Sequence, residues 1–170
     1  SNTISKLTMN GTGGVTIPQD LDVTYNLTLT SGLLRLGNYS LTLGETGSVS
    51  GSPSVTNMVA TTGSGYFKKV VATGNTASFT FPIGEETSTA EYSPYTIDFS
   101  ANSVLGTLGV KVIDAVHPSM GDASDYLSRY WSFTNSAFTN YTYASSFTYL
   151  PADIVGTQTA MKVSRYASST

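Results

Sequence analysis

Along the first third of the chain, apolar residues come in pairs with one polar residue between them. Val15/Ile17, Leu21/Val23, Leu27/Leu29, Leu34/Leu36 and Leu41/Leu43 follow in turn, and Val49 continues the series. A spacing of two is the period of a strand, whose side chains alternate between two faces. Within residues 27–43 (LTLTSGLLRLGNYSLTL) the links hold Gly32, Gly37, Asn38 and Ser40, which tolerate tight turns. The pattern predicts very short strands, each with one wet face, joined by sharp bends.

The pairs start every six to eight residues or so, and three steps make about 20. Leu21 then lies over Leu41, and Val15 nearly over Leu34. That is the arithmetic of a β-solenoid with three short strands per coil, in which each coil buries its neighbour's apolar face. Two coils fall below the usual minimum of about three. Such a stub needs a cap, from a following domain or from another copy of the chain. A β-meander of short hairpins is the alternative. Links such as residues 30–33 are not two-residue hairpin turns, which favours the solenoid. Ile4, Leu7 and Met9 mark an entry strand before the turn at residues 10–14. Residues 45–53 (ETGSVSGSP) read as the exit from the solenoid, and residues 55–60 as a short strand or crossover.

After Gly63-Ser64-Gly65 the strands lengthen. Residues 66–72, 77–81, 92–100 and 126–133 read as strands. The alternations Leu108/Val110/Val112, Tyr141/Tyr143, Phe147/Tyr149 and Met161/Val163 complete the set. Pro82-Ile83-Gly84 reads as a strand end, and residues 85–90 as a polar loop. Strands at this spacing, divided by turn signals and without a helix period, indicate a β-sandwich with Trp131 as its core anchor. The reading is therefore all-β: a short solenoid-like segment over residues 1–62, then an antiparallel β-sandwich over 63–170.

Composition sharpens this picture. Charged residues make up only 11% of the chain, against a usual share of about 25%. The polar surface comes instead from about fifty Ser and Thr and from Asn. Hydroxyls keep a β surface soluble without charge, and Thr is β-branched and favours strands. This composition is common among secreted and cell-surface β proteins. The net charge is −3, and Lys68-Lys69 is the only adjacent pair of cations. Nucleic-acid binding needs a clustered positive face, so that class is set aside. No apolar run approaches the ~20 residues of a membrane-spanning helix. No secretory leader pattern stands at Ser1, and the chain reads as part of a longer protein. With no cysteine, disulfides, thiolate metal sites and Cys nucleophiles are excluded.

Few residues offer chemistry. His117 is the sole histidine and stands beside Pro118 in a loop, the setting of a turn residue. One His without Cys does not make a zinc site. Glu85 and Glu86 are adjacent and would point opposite ways on a strand. Glu91, Asp98 and Asp114 lie on separate segments, so the sequence places no acid/base pair. Glu85, Glu86 and Glu91 read as solvated loop charges. Asp122 and Asp125, with carbonyls of residues 120–124, are candidate calcium ligands. The competing role is capping of their own turn. No other cofactor is indicated, and no residue is assigned a catalytic role. No Gly-Lys-Ser/Thr phosphate loop is present. Tyr126, Tyr130, Tyr141, Tyr143 and Tyr149 form the candidate binding set. Exposed tyrosines on a rigid sheet stack on sugars or dock a protein at low entropic cost. The competing role is half-buried strand packing.

Residues 65–84 (GYFKKVVATGNTASFTFPIG), then Tyr92-Ser93-Pro94-Tyr95, then Arg129-Tyr130-Trp131 resemble a recurrent module of large secreted proteins of Bacteroidetes. Such proteins are commonly cargo of type IX secretion. Residues 27–44 resemble the solenoid-like lead that precedes the module. The sorting domain itself is not among these residues. The resemblance implies an extracellular or cell-surface location, tandem arrangement with neighbouring modules, and an adhesive or scaffold role. It carries over no catalytic residue. The expectation is a non-enzymatic structural or adhesive module that stacks with its neighbours or forms homo-oligomers and filaments. A carbohydrate-binding module of a secreted enzyme, using the tyrosines on cell-surface glycans, is the alternative.

Overall fold

The computed structural model of the chain describes residues 2–121 and 123–167. The apolar pairs stack as the period requires, and they do so through four turns. The first turn holds β1 (Asn2–Asn10) and β2 (Val15–Thr16), the second β3 (Leu21–Ser31) and β4 (Leu34–Arg35). The third holds β5 (Leu41–Leu43), β6 (Ser48–Gly51) and β7 (Val59–Ala60). The fourth holds β8 (Phe67–Val71), β9 (Phe79–Phe81) and β10 (Ile83–Glu85). One parallel ladder runs β1–β3–β5–β8, with β6 beside β5 on β3. The other runs β2–β4–β7–β10.

The register is the one the repeat implies. Leu21 pairs with Leu41, and Leu41 with Phe67. Val15 pairs with Leu34, Leu34 with Val59, and Val59 with Ile83. Leu27, Leu29, Leu34, Leu36, Leu41 and Leu43 are all buried between the two ladders. Each such side chain contributes about 1.5–3 kcal/mol on leaving water. Two glycines let the bends close. Gly32 holds a φ of +84°, and a Cβ at Gly65 would collide with the Tyr39 carbonyl oxygen.

The solenoid is longer than its pattern. Residues 45–53 are not an exit, because β6 lies on β3. Residues 82–84 do not end a strand, because β10 is the fourth rung of the second ladder. Strand hydrogen bonds cross the division expected between residues 62 and 63, where β5 pairs with β8. The later rungs in this ladder do not alternate, because residues 57–61 and 81–85 are buried without a break and no exposed polar position marks a period.

The sandwich follows from the last turn. β8 pairs antiparallel with β13 (Gly106–Ile113), and β13 with β15 (Tyr130–Ser136), so the first sheet continues without a break. β10 pairs antiparallel with β11 (Glu91–Tyr92). A third sheet, β9–β12–β16, packs across the first, with β12 at Tyr95–Ala101 and β16 at Thr142–Phe147. Tyr95, Ile97 and Phe99 of β12 meet Leu108, Val110 and Val112 of β13 in one core. A small sheet pairs β14 (Tyr126–Leu127) with β17 (Ile154–Val155). Two short 3-10 turns are the helical elements among the described residues.

Trp131 is not the deepest residue of this half. β15 ends its sheet, so Trp131 is partly exposed, packs on Phe147 at 4.9 Å and donates to the Ser93 carbonyl at 3.1 Å. Phe67 and Phe81, fully buried with ring centroids 5.5 Å apart, hold the centre. The alternation at Met161/Val163 forms no strand.

Candidate functional site

Three places gather functional groups. The first surrounds Arg129, which lies between β14 and β15 and is 2% exposed. Its Nε ion-pairs with Asp153 at 2.6 Å, its Nη2 with Glu91, and its Nη1 donates to Ser93 at 2.5 Å. Asp114 lies 3.9 Å away. Burial acts against the cation. Hydrogen bonds and charge from Asp153 and Glu91 outweigh it and hold the guanidinium pKa above its ordinary value. The β10–β11 register sets Glu85 directly opposite Glu91. Like charges so placed repel, and Arg129 supplies the offsetting charge.

Glu85 is not a solvated loop charge: it is 2% exposed, and its carboxylate accepts from the Thr87 N–H at 2.6 Å. Glu86 pairs with Arg35 at 2.5 Å. Carboxylate oxygens of Glu85, Glu91 and Asp114 lie within 4.8 Å of one another. This is the oxygen donor type that calcium and magnesium take. The guanidinium of Arg129 is the cation set against Glu91 and Asp114. The sequence left these carboxylates on separate segments, and only the pairing of β10 with β11 beside Arg129 brings them together. The one visible signal was a charged residue, Arg129, amid aromatic strand sequence.

The second place is aromatic. Tyr141 and Tyr143 stack at 6.0 Å with an interplanar angle of 27°. They are 37% and 42% exposed. Phe99 and Phe138 support them from beneath. The other candidate tyrosines lie elsewhere. Tyr126 is half-buried opposite Val155. Tyr130 packs on His117 at 4.8 Å, and the Tyr149 hydroxyl accepts from Gln158 at 2.9 Å. His117 accepts the Ser119 N–H at 3.1 Å, as a turn residue does. Asp125 uses both oxygens locally, accepting from the Thr157 N–H at 2.6 Å and the Ser124 hydroxyl at 2.9 Å. Those bonds, the backbone one foremost, hold its carboxyl below the usual carboxylate range. Its calcium partner in the sequence reading, Asp122, lies outside the described residues.

No family model, curated protein or solved structure matches the chain. Its functional reading therefore rests on its own residues.

The third place is a groove of about 690 Å³ between β6 and β9. Lys69 lies on its wall and donates to the carbonyls of Gly44 and Glu45 at 2.6 Å and of Val70 at 3.0 Å. All three ammonium donors are used. Burial pulls its pKa down to about 8, against a smaller upward pull from the Glu45 charge. Nearby, burial pushes Tyr95 up to about 12. From about pH 8 to 10.5 the unfolded chain holds more protons at Lys69, so stability rises with pH. From about pH 10 to 12 the folded chain holds more at Tyr95, so stability falls. Chemical denaturation across this range is expected to show a maximum near pH 10. Lys69→Met should remove the rise, and Tyr95→Phe should soften the fall.

Proposed function

We propose that the chain is a non-enzymatic structural module of a large bacterial surface or secreted protein, stacking with neighbouring modules or with copies of itself. The observation that carries this reading is the unbroken path β1–β3–β5–β8–β13–β15, one hydrogen-bonded sheet through both halves of the chain. A parallel stack of this kind joins its turns through backbone hydrogen bonds and shared apolar layers, which suits a scaffold. Its two ends differ. The last turn is covered by β11 and β13, whereas β1 and β2 end their sheets with mostly exposed residues. Such an end is a template for a further rung. The extracellular placement is part of this proposal, and its support is the resemblance of residues 65–84 and 92–95 to modules of secreted proteins together with the hydroxyl-rich composition.

Sedimentation velocity across a thousandfold range of concentration tests this. Growth beyond monomer is expected. A strict monomer throughout would overturn stacking between copies.

The stacked, exposed Tyr141–Tyr143 pair favours a second reading, a glycan-binding module. On that reading Tyr143→Ala should weaken glycan binding at least tenfold, since aromatic contacts dominate such surfaces. Glycan-array binding unchanged in this variant would remove it.

A further inference from the structure

The fourth turn of the solenoid does not lay a strand on β6. β8 lies on β5 at Phe67–Lys69 and on β13 along its other side from Phe67 to Val71, and neither it nor any later strand is laid on β6, which pairs with β3. The far edge of β6 is therefore free among the described residues. β9 is likewise the terminal strand of its own sheet. The groove of about 690 Å³ lies between these two strands, with Val49, Val71, Phe79 and Phe81 on its walls. A slot with apolar walls beside a free strand edge is the geometry of strand addition, in which backbone hydrogen bonds give affinity and side-chain pockets give register.

The chain also holds an unused strand. Residues 161–164 (MKVS) alternate as a strand does, and residues 161–166 (MKVSRY) form no strand pair among the described residues, where Tyr166 alone packs its ring on His117. Met161 is already extended, with φ −67° and ψ +147°. Val163 is 88% exposed. Lys162 and Arg165 make this segment basic in a chain of net charge −3, and Glu45 stands on the groove wall. The cation already there, Lys69, is held by three carbonyls.

Tyr166 and the groove lie toward opposite ends of β13. On β13, Gly106 pairs with Val71 at the groove, and Ile113 with Tyr130 at the far end. Tyr130 packs on His117, and His117 on Tyr166 at 5.2 Å. Along β13 this is about 24 Å of strand, so the Tyr166 end of the segment is well away from its own groove.

We infer that the groove beside β6 receives residues 161–166 of a second copy, adding a strand to the free edge. The contact is head-to-tail, and a contact of that kind that does not close builds a filament. The inference rests on the structural reading above and names its joint.

The cysteine-free chain makes the test direct. Ser48→Cys, an exposed position on the outer face of β6, is mixed with Ser164→Cys, which lies on the face of the segment opposite Val163, and oxidised mildly. Disulfide-linked dimers joining 48 to 164 are expected at least tenfold above 164–164 dimers. In sedimentation velocity, Val163→Glu is expected to shift self-association to at least tenfold higher concentration. At an exposed position its melting curve should be unchanged, which excludes misfolding. Self-association that persists in Val163→Glu, without 48–164 links, would overturn this joint and leave the structural reading standing. A strict monomer of the unaltered chain would overturn both.

Discussion

Arg129→Met is expected to lower the unfolding free energy by about 3–5 kcal/mol, the usual cost of removing one partner from a buried ion pair. Arg129 is 2% exposed and Asp153 is nearly as buried. Without the guanidinium, Asp153 keeps, among the described residues, its bond from the Leu150 N–H at 2.7 Å. Glu91 then faces Glu85 and Asp114 with no offsetting cation. Thermal melting read by circular dichroism should move down by roughly 10 °C. The double variant Arg129→Met, Asp153→Leu separates two explanations. If the loss comes from a stranded charge, an apolar pair should recover a large part of it, since buried ion pairs often exchange for apolar pairs without loss. If the double variant is as unstable as the single one, the charge account is wrong and the guanidinium acts through its packing.

Phe67→Ala is expected to cost about 3–5 kcal/mol, the range for a large aromatic removed from a core. Phe67 is fully buried, rests on Leu41 one rung below, and meets Phe81 edge-to-face at 5.5 Å and 79°. It sits where the parallel stack becomes an antiparallel sheet, because β8 pairs with β5 on one side and β13 on the other. The loss should therefore appear equally in both halves. Trp131 fluorescence, which reports the sandwich, and far-ultraviolet circular dichroism, which reports the whole, should show one coincident denaturant transition at lower midpoint. Two separated transitions would mean that the solenoid and the sandwich fold as independent units. Leu7→Ala on the terminal strand β1, where the side chain is only partly buried, is expected to cost about 1 kcal/mol.

Both variants show where the sequence was legible and where it was not. Leu21 over Leu41 and Val15 over Leu34 could be read directly, because side-chain alternation and a repeat of fixed length are local properties of the chain. Tyr95, Ile97 and Phe99, and Leu108, Val110 and Val112, were legible for the same reason: each strand has one buried face. The rungs β7 and β10 were not. Residues 57–61 and 81–85 are buried without a break, so no exposed position marks a period, and their places are set by the rungs already laid down.

The sites were less legible still. Tyr141 and Tyr143 share a face two residues apart on the chain, so their pairing was readable. Tyr126, Tyr130 and Tyr149 were grouped with them by composition alone, and the fold scatters them. Burial of Glu85, and its meeting with Glu91, Asp114 and Arg129, depends on long-range strand pairing that no local pattern encodes. An all-β chain, a stacked lead segment and a surface made of hydroxyls follow from spacing and composition alone. The number of turns that stack, the strand edges left unpaired among the described residues and the charges buried together emerge only once the chain is folded. Those depend on register between distant segments, where backbone hydrogen bonding and desolvation act and local alternation does not reach.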